Sequence, residues 1–290
     1  MYKSKIAMLN HMPSRDFVKS LDLQREWKIH YLDLKEHIFG KELLSLRDDE
    51  AKAVAELVSE RDMEVYCFST TLFFEEIEKG EGVFQKEHLE KLDRIIELAR
   101  IINPKVIRIM AARTAKRSRI INTVPYISES FPWLIPMYRR AVERINAGGY
   151  TATIENDANG CIWSRPEEIT GFFNALDCAG RVFLTFDIQN LWQMGTYPTM
   201  EVFDILEDIT GYFHLKGSLP EISGGDTVYA CSLEDCRWDV IGITRKALLG
   251  KSKSYICLNP VKGKRLEGLC YEDIARADLD YLRNQIKELE

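Results

Sequence analysis

Val182-Phe183-Leu184-Thr185-Phe186, followed by Asp187-Ile188-Gln189-Asn190, is an apolar, β-rich run that closes on an acid and amides. A continuous run this short reads as a strand covered on both faces. The pattern recurs along the chain. Candidate strands precede it at Lys5 to Leu9, Lys28 to Leu32, Glu64 to Ser69, Val106 to Ala111 and Tyr150 to Ile154. Two more follow it, at Gly211 to Leu215 and Ser254 to Leu258. Between them, apolar residues recur at spacings of three and four, as in Leu89, Leu92, Ile96 and Ala99, or Ala275, Leu279, Leu282 and Ile286. That is the period of helices with one buried face. Ser164-Arg165-Pro166-Glu167 adds a helix start with proline in its first turn. Eight strands, each followed by a helix, predict one α/β domain over residues 1–290, a TIM-type (β/α)₈ barrel. An open doubly wound sheet fits less well, because no Gly-x-Gly-x-x-Gly follows the first strand.

A chain of 290 residues with 46% hydrophobic content can bury a large core. Its formal charge of −6 argues against a nucleic-acid partner, which would need a positive footprint. Seven scattered cysteines without a Cys-x-x-Cys pair read as reduced thiols. Met1 to Lys5 leads straight into Ile6-Ala7-Met8-Leu9, too short for a signal-peptide core, and no apolar stretch nears the roughly 20 residues that span a bilayer. The expectation is a soluble cytoplasmic protein without a membrane partner.

In a TIM barrel the reactive groups sit where strands end and the following loops begin. Four successive strand ends here are polar in a related way: Ile154-Glu155-Asn156-Asp157, Phe186-Asp187-Ile188-Gln189-Asn190, Phe213-His214-Leu215-Lys216 and Leu258-Asn259-Pro260. Glu155, Asp187, His214 and Asn259 are therefore predicted to converge at the barrel mouth. Two carboxylates, an imidazole and an amide suit a hard or borderline divalent ion such as Mn²⁺, Mg²⁺ or Zn²⁺, and the lack of thiolate argues against a structural zinc site. The bland alternative is that each residue merely ends its strand. His11, Arg113, Asn156, Asp157 and Asn190 are candidates for holding a polyol. Phe68 and Trp192 either stack on the apolar face of a sugar or pack in the core. The basic stretch Arg113 to Arg119 is read as an anion-attracting loop or as a solvated one. Phe131-Pro132-Trp133-Leu134-Ile135-Pro136 is read as a partner surface or as a segment buried under the helices, which leaves a homo-oligomer open.

The runs Thr153-Ile154-Glu155-Asn156, Phe186 to Asn190 and Phe213 to Lys216 together resemble the xylose isomerase-like TIM barrel superfamily of sugar isomerases and epimerases, inosose dehydratases and endonuclease IV. The resemblance implies metal ligation by Glu155, Asp187, His214 and a glutamate after strand eight, where this chain has Asn259. It also departs in three places. Asn190 stands in for the histidine of an Asp-x-x-His pattern, Gly217 for the aspartate of His-x-Lys-Asp, and of the two glutamates between which the epimerases pass a proton only Glu155 is present. A neutral amide at Asn259 is a poorer ligand than a carboxylate and no base. A one-base reaction remains open, with Glu155 as base or ligand and Lys216 as acid or oxyanion partner; a solvated loop lysine is the alternative for the latter.

The function predicted is a metal-assisted isomerase, epimerase or dehydratase acting on a sugar or polyol. The alternative is a catalytically degenerate sugar-binding or regulatory barrel with an incomplete metal site. An endonuclease IV-like nuclease is disfavoured, because that chemistry uses a histidine-rich zinc cluster. This chain has only His11, His30, His37, His88 and His214, and His30, His37 and His88 are read into helices or strand bodies.

Overall fold

The computed structural model describes residues 5–158, 160–220, 227–230, 232–259 and 270–287. Eight parallel strands close on themselves: β1 (Ile6–Leu9), β2 (Tyr31–Leu34), β3 (Glu64–Ser69), β4 (Val106–Met110), β5 (Thr151–Glu155), β6 (Val182–Asp187), β7 (Thr210–Leu215) and β8 (Tyr255–Leu258). Each pairs with its neighbours in sequence, and β8 closes the ring on β1 through Ile6 opposite Ile256. Helices follow the strands, as the periodicity predicts, and the fold is the (β/α)₈ barrel.

Because side chains alternate across a strand, one set points into the barrel and the other into the layer beneath the helices. Ile154, Phe186, Phe213 and Leu258 belong to the large core between strands and helices, together with Leu279 and Leu282 of the last helix, Tyr271–Gln285. A smaller core fills the inside, built on Tyr31, Tyr66, Cys67, Tyr212 and Cys257. Tyr66 stacks on Tyr255 with ring centroids 4.1 Å apart and lies 5.0 Å from Tyr212. These contacts cross from β3 to β7 and β8, so the rings plug the amino-terminal half of the barrel.

Seven predicted strands lie within one residue of the observed bounds. β2 is the exception, starting three residues after the predicted Lys28. The preceding helix, Phe17–Glu26, is continued by Trp27, whose amide bonds Leu23, and Lys28 takes a left-handed φ of 59° that turns the chain before the strand begins. A hairpin absent from the sequence reading follows β7, pairing Ser218–Pro220 with Thr227–Ala230. Pro166 occupies the first turn of the helix Pro166–Leu176, as predicted. In the Phe131 to Pro136 run Leu134 is buried and Trp133 is half-buried, 5.1 Å from the Phe84 ring, while Pro132 and Pro136 are exposed. Cys67, Cys161, Cys178, Cys236, Cys257 and Cys270 are free thiols, while Cys231 lies outside the described residues. Among the described residues no helix is long and apolar enough to cross a membrane.

Candidate active site

The inward phase of the late strands sets the site. β5 ends on Glu155, β6 on Asp187, β7 presents His214 with Lys216 just beyond, and Asn259 follows β8. All are buried at the carboxyl-terminal end, beneath a cavity of about 490 Å³ lined there by Arg108, Glu155, His214, Lys216 and Asn259.

His214 is the hub. Its Nδ1 lies 3.0 Å from Glu155 Oε1 and 2.8 Å from Asn259 Nδ2, and its Nε2 lies 3.4 Å from Asp33 Oδ2. Asp33 comes from β2 and is fully buried; it accepts a 3.0 Å hydrogen bond from Tyr212 Oη. Burial alone would lower the His214 pKa, but Glu155 and Asp33 outweigh it and raise it. The His214 ring thus lies between two carboxylates. The outer oxygen of Glu155, Oε2, is 2.6 Å from Arg108 Nη1, both groups being almost wholly buried. Burial would raise the Glu155 pKa; Arg108 and His214 hold it well below the ordinary carboxylate range. Lys216 Nζ pairs with Asp187 Oδ2 and donates to Asn190 Oδ1 at 3.2 Å. Burial works against its charge, but Asp187 and Glu155 keep the ammonium protonated.

Asn156 and Asn190 brace these groups. Asp187 N donates to Asn156 Oδ1 at 2.9 Å, Asn156 Nδ2 returns a bond to Asp187 O at 2.8 Å, and Asn190 Nδ2 donates to Asn156 O at 3.0 Å. Asp187 Oδ1 meanwhile caps the short helix Ile188–Gln193 by accepting from Asn190 N. These amides position the site.

The rim comes from the loops after β1 and β2. His11 is buried there, its Nε2 3.5 Å from Glu36 Oε1, its ring 5.2 Å from that of His37, and its Nδ1 without a hydrogen-bond partner among the described residues. Burial first, then Lys35 and His37, push its pKa down to about 4 against the pull of Glu36, so it is neutral at pH 7. Arg15, Lys35, Glu36, His37 and Asp157 share the lining.

Of the candidates for holding a sugar, Asn156 and Asn190 brace the carboxylates without lining the cavity, and three more stand apart from it. Phe68 is fully buried in the layer beneath the helices, because β3 turns Cys67 inward instead. Trp192 is buried edge-on against Tyr197 at 5.1 Å. Arg113 stacks its guanidinium 5.0 Å from Phe74, and only Phe74 reaches the cavity. Within the basic stretch, Arg117 is a loop tie to Glu168 at 2.8 Å and to the Ile120 carbonyl at 3.1 Å. The sequence reading missed Asp33 and Arg108. The signal for Arg108 was a lone arginine within the apolar run of β4.

Glu155, Asp187 and His214 bring donor atoms within 4.8 Å of one another, compact enough for a metal ion, as do Asp33, His214 and Cys257. Cations sit on two of these carboxylates. Arg108 and Lys216 already neutralise Glu155 and Asp187, Asn259 adds no anion, and burial pushes the Cys257 thiol well above its ordinary pKa.

The closed (β/α)₈ barrel thus carries acid, histidine and lysine at the ends of strands five to seven. The chain belongs to the xylose isomerase-like TIM barrel family, whose model matches residues 31–237. No protein of curated function matches the sequence. Among solved structures it is similar to the probable 3-DHS dehydratase AsbF of Bacillus anthracis, with TM-score 0.71 and 12% identity over 97% of this chain and 99% of that one. A xylose isomerase-like TIM barrel protein from Mycobacterium smegmatis, in complex with magnesium, gives TM-score 0.70 and 16% identity over 100% and 99%. An L-ribulose 3-epimerase gives 0.72 and 11% over 98% and 95%.

Proposed function

We propose that the chain moves a proton next to the carbonyl of a small sugar or polyol, as an isomerase, epimerase or dehydratase. The observation that carries this reading is the pairing, on one cavity wall, of an ionised carboxylate, Glu155, with two buried cations, Arg108 and Lys216. The fold shared with an epimerase and a dehydratase supports the reaction class. In this reading the substrate carbonyl oxygen faces Lys216 Nζ, whose positive charge stabilises the enolate formed when the adjacent carbon loses its proton. Glu155 accepts that proton. Because Arg108 and His214 make it a weaker base than a free glutamate, the cations must acidify the substrate, and a fixed ammonium does so without reorganisation. Asn190 holds Lys216 in position, and the rim residues His11 and Asp157 meet the hydroxyls.

A panel of keto-sugars incubated in D₂O tests this by the carbon-bound deuterium that each acquires. Wild type is expected to exchange at least one sugar, and Glu155→Gln and Lys216→Met to slow that exchange by about 10²–10⁴-fold. Exchange at the wild-type rate in both variants refutes the assignment. Saturable binding of a sugar with no exchange anywhere in the panel identifies a non-catalytic sugar-binding barrel instead.

A further inference from the structure

We infer that Arg108 and Lys216 do in this chain the charge-neutralising work of a divalent ion, so that the site is complete without one. Four observations converge. Glu155 gives its outer oxygen to Arg108 Nη1 at 2.6 Å, with the two side chains 6% and 3% exposed. Asp187 pairs with Lys216, at 0% and 5% exposure. Neither cation can swing aside into solvent without leaving a buried carboxylate unpaired, which is costly. The amide of Asn259 lies 2.8 Å from His214 Nδ1, the nitrogen turned toward Glu155. Its Oδ1 lies 3.4 Å from the Cys257 thiol, so the neutral amide fills the place beside His214 without supplying an anion.

The charge count agrees. Arg108 and Lys216 against Glu155 and Asp187 sum to zero, so of the buried carboxylates around His214 a divalent ion would find only Asp33 not already paired with one of these two cations. Asn259 is the residue that permits the arrangement, since a carboxylate there would leave the group short by one positive charge. The inference concerns what holds the site together, and its test reads bound metal rather than turnover, so it stands or falls separately from the proposed reaction.

The full-length protein is stripped with chelator, re-equilibrated with Mn²⁺ or Zn²⁺ and dialysed; bound Mn²⁺ is read by paramagnetic resonance and bound Zn²⁺ by elemental analysis. Wild type is expected to keep less than about 0.1 equivalent at micromolar free ion, with an unfolding midpoint unmoved by chelator or by Mn²⁺. Asn259→Glu is expected to raise Mn²⁺ affinity by about ten-fold or more, through the added carboxylate. One equivalent held by wild type and abolished in His214→Gln overturns the inference, as does a wild-type midpoint that falls when chelator is added. Because these outcomes are read on wild type, they do not depend on the folding of the glutamate variant.

Discussion

Arg108 enters a barrel interior where an unpaired charge is expensive, and Glu155 is what makes it tolerable there. Replacing Arg108 with methionine keeps the volume near constant but leaves the buried Glu155 carboxylate with His214 as its remaining ion-pair partner, and is expected to cost about 3–5 kcal/mol in urea unfolding. The double variant Arg108→Met with Glu155→Gln is expected to lose less than the sum of the two single changes, because it removes both buried charges. A loss under about 1 kcal/mol for Arg108→Met would mean that water reaches the pair. Legibility differs among these residues for one reason. Glu155, Asp187, His214 and Asn259 each close an apolar run, so a reader looking at strand ends finds them. Asp33 directly follows Leu32 as Glu155 follows Ile154, so the strand end did carry its signal, whereas Arg108 sits inside its run with apolar residues on both sides. Phe68 lies in Glu64-Val65-Tyr66-Cys67-Phe68-Ser69, where every second residue is bulky or apolar on both phases, so the sequence does not say which set faces inward.

Helices position this barrel by packing, and their ends need partners for carbonyls that no further turn can satisfy. Leu134–Ala147 supplies one such partner to its neighbour: Arg139 donates from Nε to Leu176 O and from Nη2 to Ala175 O, both at 2.7 Å, at the carboxyl end of Pro166–Leu176. A guanidinium there also opposes the negative end of that helix dipole. Arg139→Ala is expected to destabilise the fold by about 1–2 kcal/mol, and Arg139→Lys by about half as much, since a single ammonium cannot hold both carbonyls in the same fork. Full retention of stability by Arg139→Lys in thermal unfolding would show that the charge at the helix dipole, not the fork, matters. Helix periodicity was readable because Leu89, Leu92, Ile96 and Ala99 are all buried, as are Ala275, Leu279, Leu282 and Ile286. The start of β2 was not, because it depends on Lys28 adopting a left-handed turn, a conformation that its residue type does not advertise.

The barrel closes by docking its last helix, Tyr271–Gln285, and that seam carries a titratable group of its own. Asp278 is 1% exposed and accepts a 2.7 Å hydrogen bond from Leu233 N; burial, reinforced by Asp235, pushes its pKa up to about 7. Between its ordinary value of 3.8 and about 7, the folded chain keeps a proton that the unfolded chain has released, so stability falls as pH rises through that window and levels off above it. This group alone contributes a slope approaching about 1.4 kcal/mol per pH unit. Asp278→Asn keeps an acceptor for Leu233 and is expected to flatten the loss between pH 5 and pH 7, measured as urea midpoints; an unchanged slope assigns the pH dependence elsewhere. At the opposite end of the molecule, the stacked tyrosines Tyr31, Tyr66, Tyr212 and Tyr255 make the barrel a vessel with one opening. On the proposed reaction, product leaves by the door through which its precursor came, past His11 and Lys35. Departing product and arriving substrate then exclude each other, and inhibition by product is expected to be competitive in initial-rate measurements.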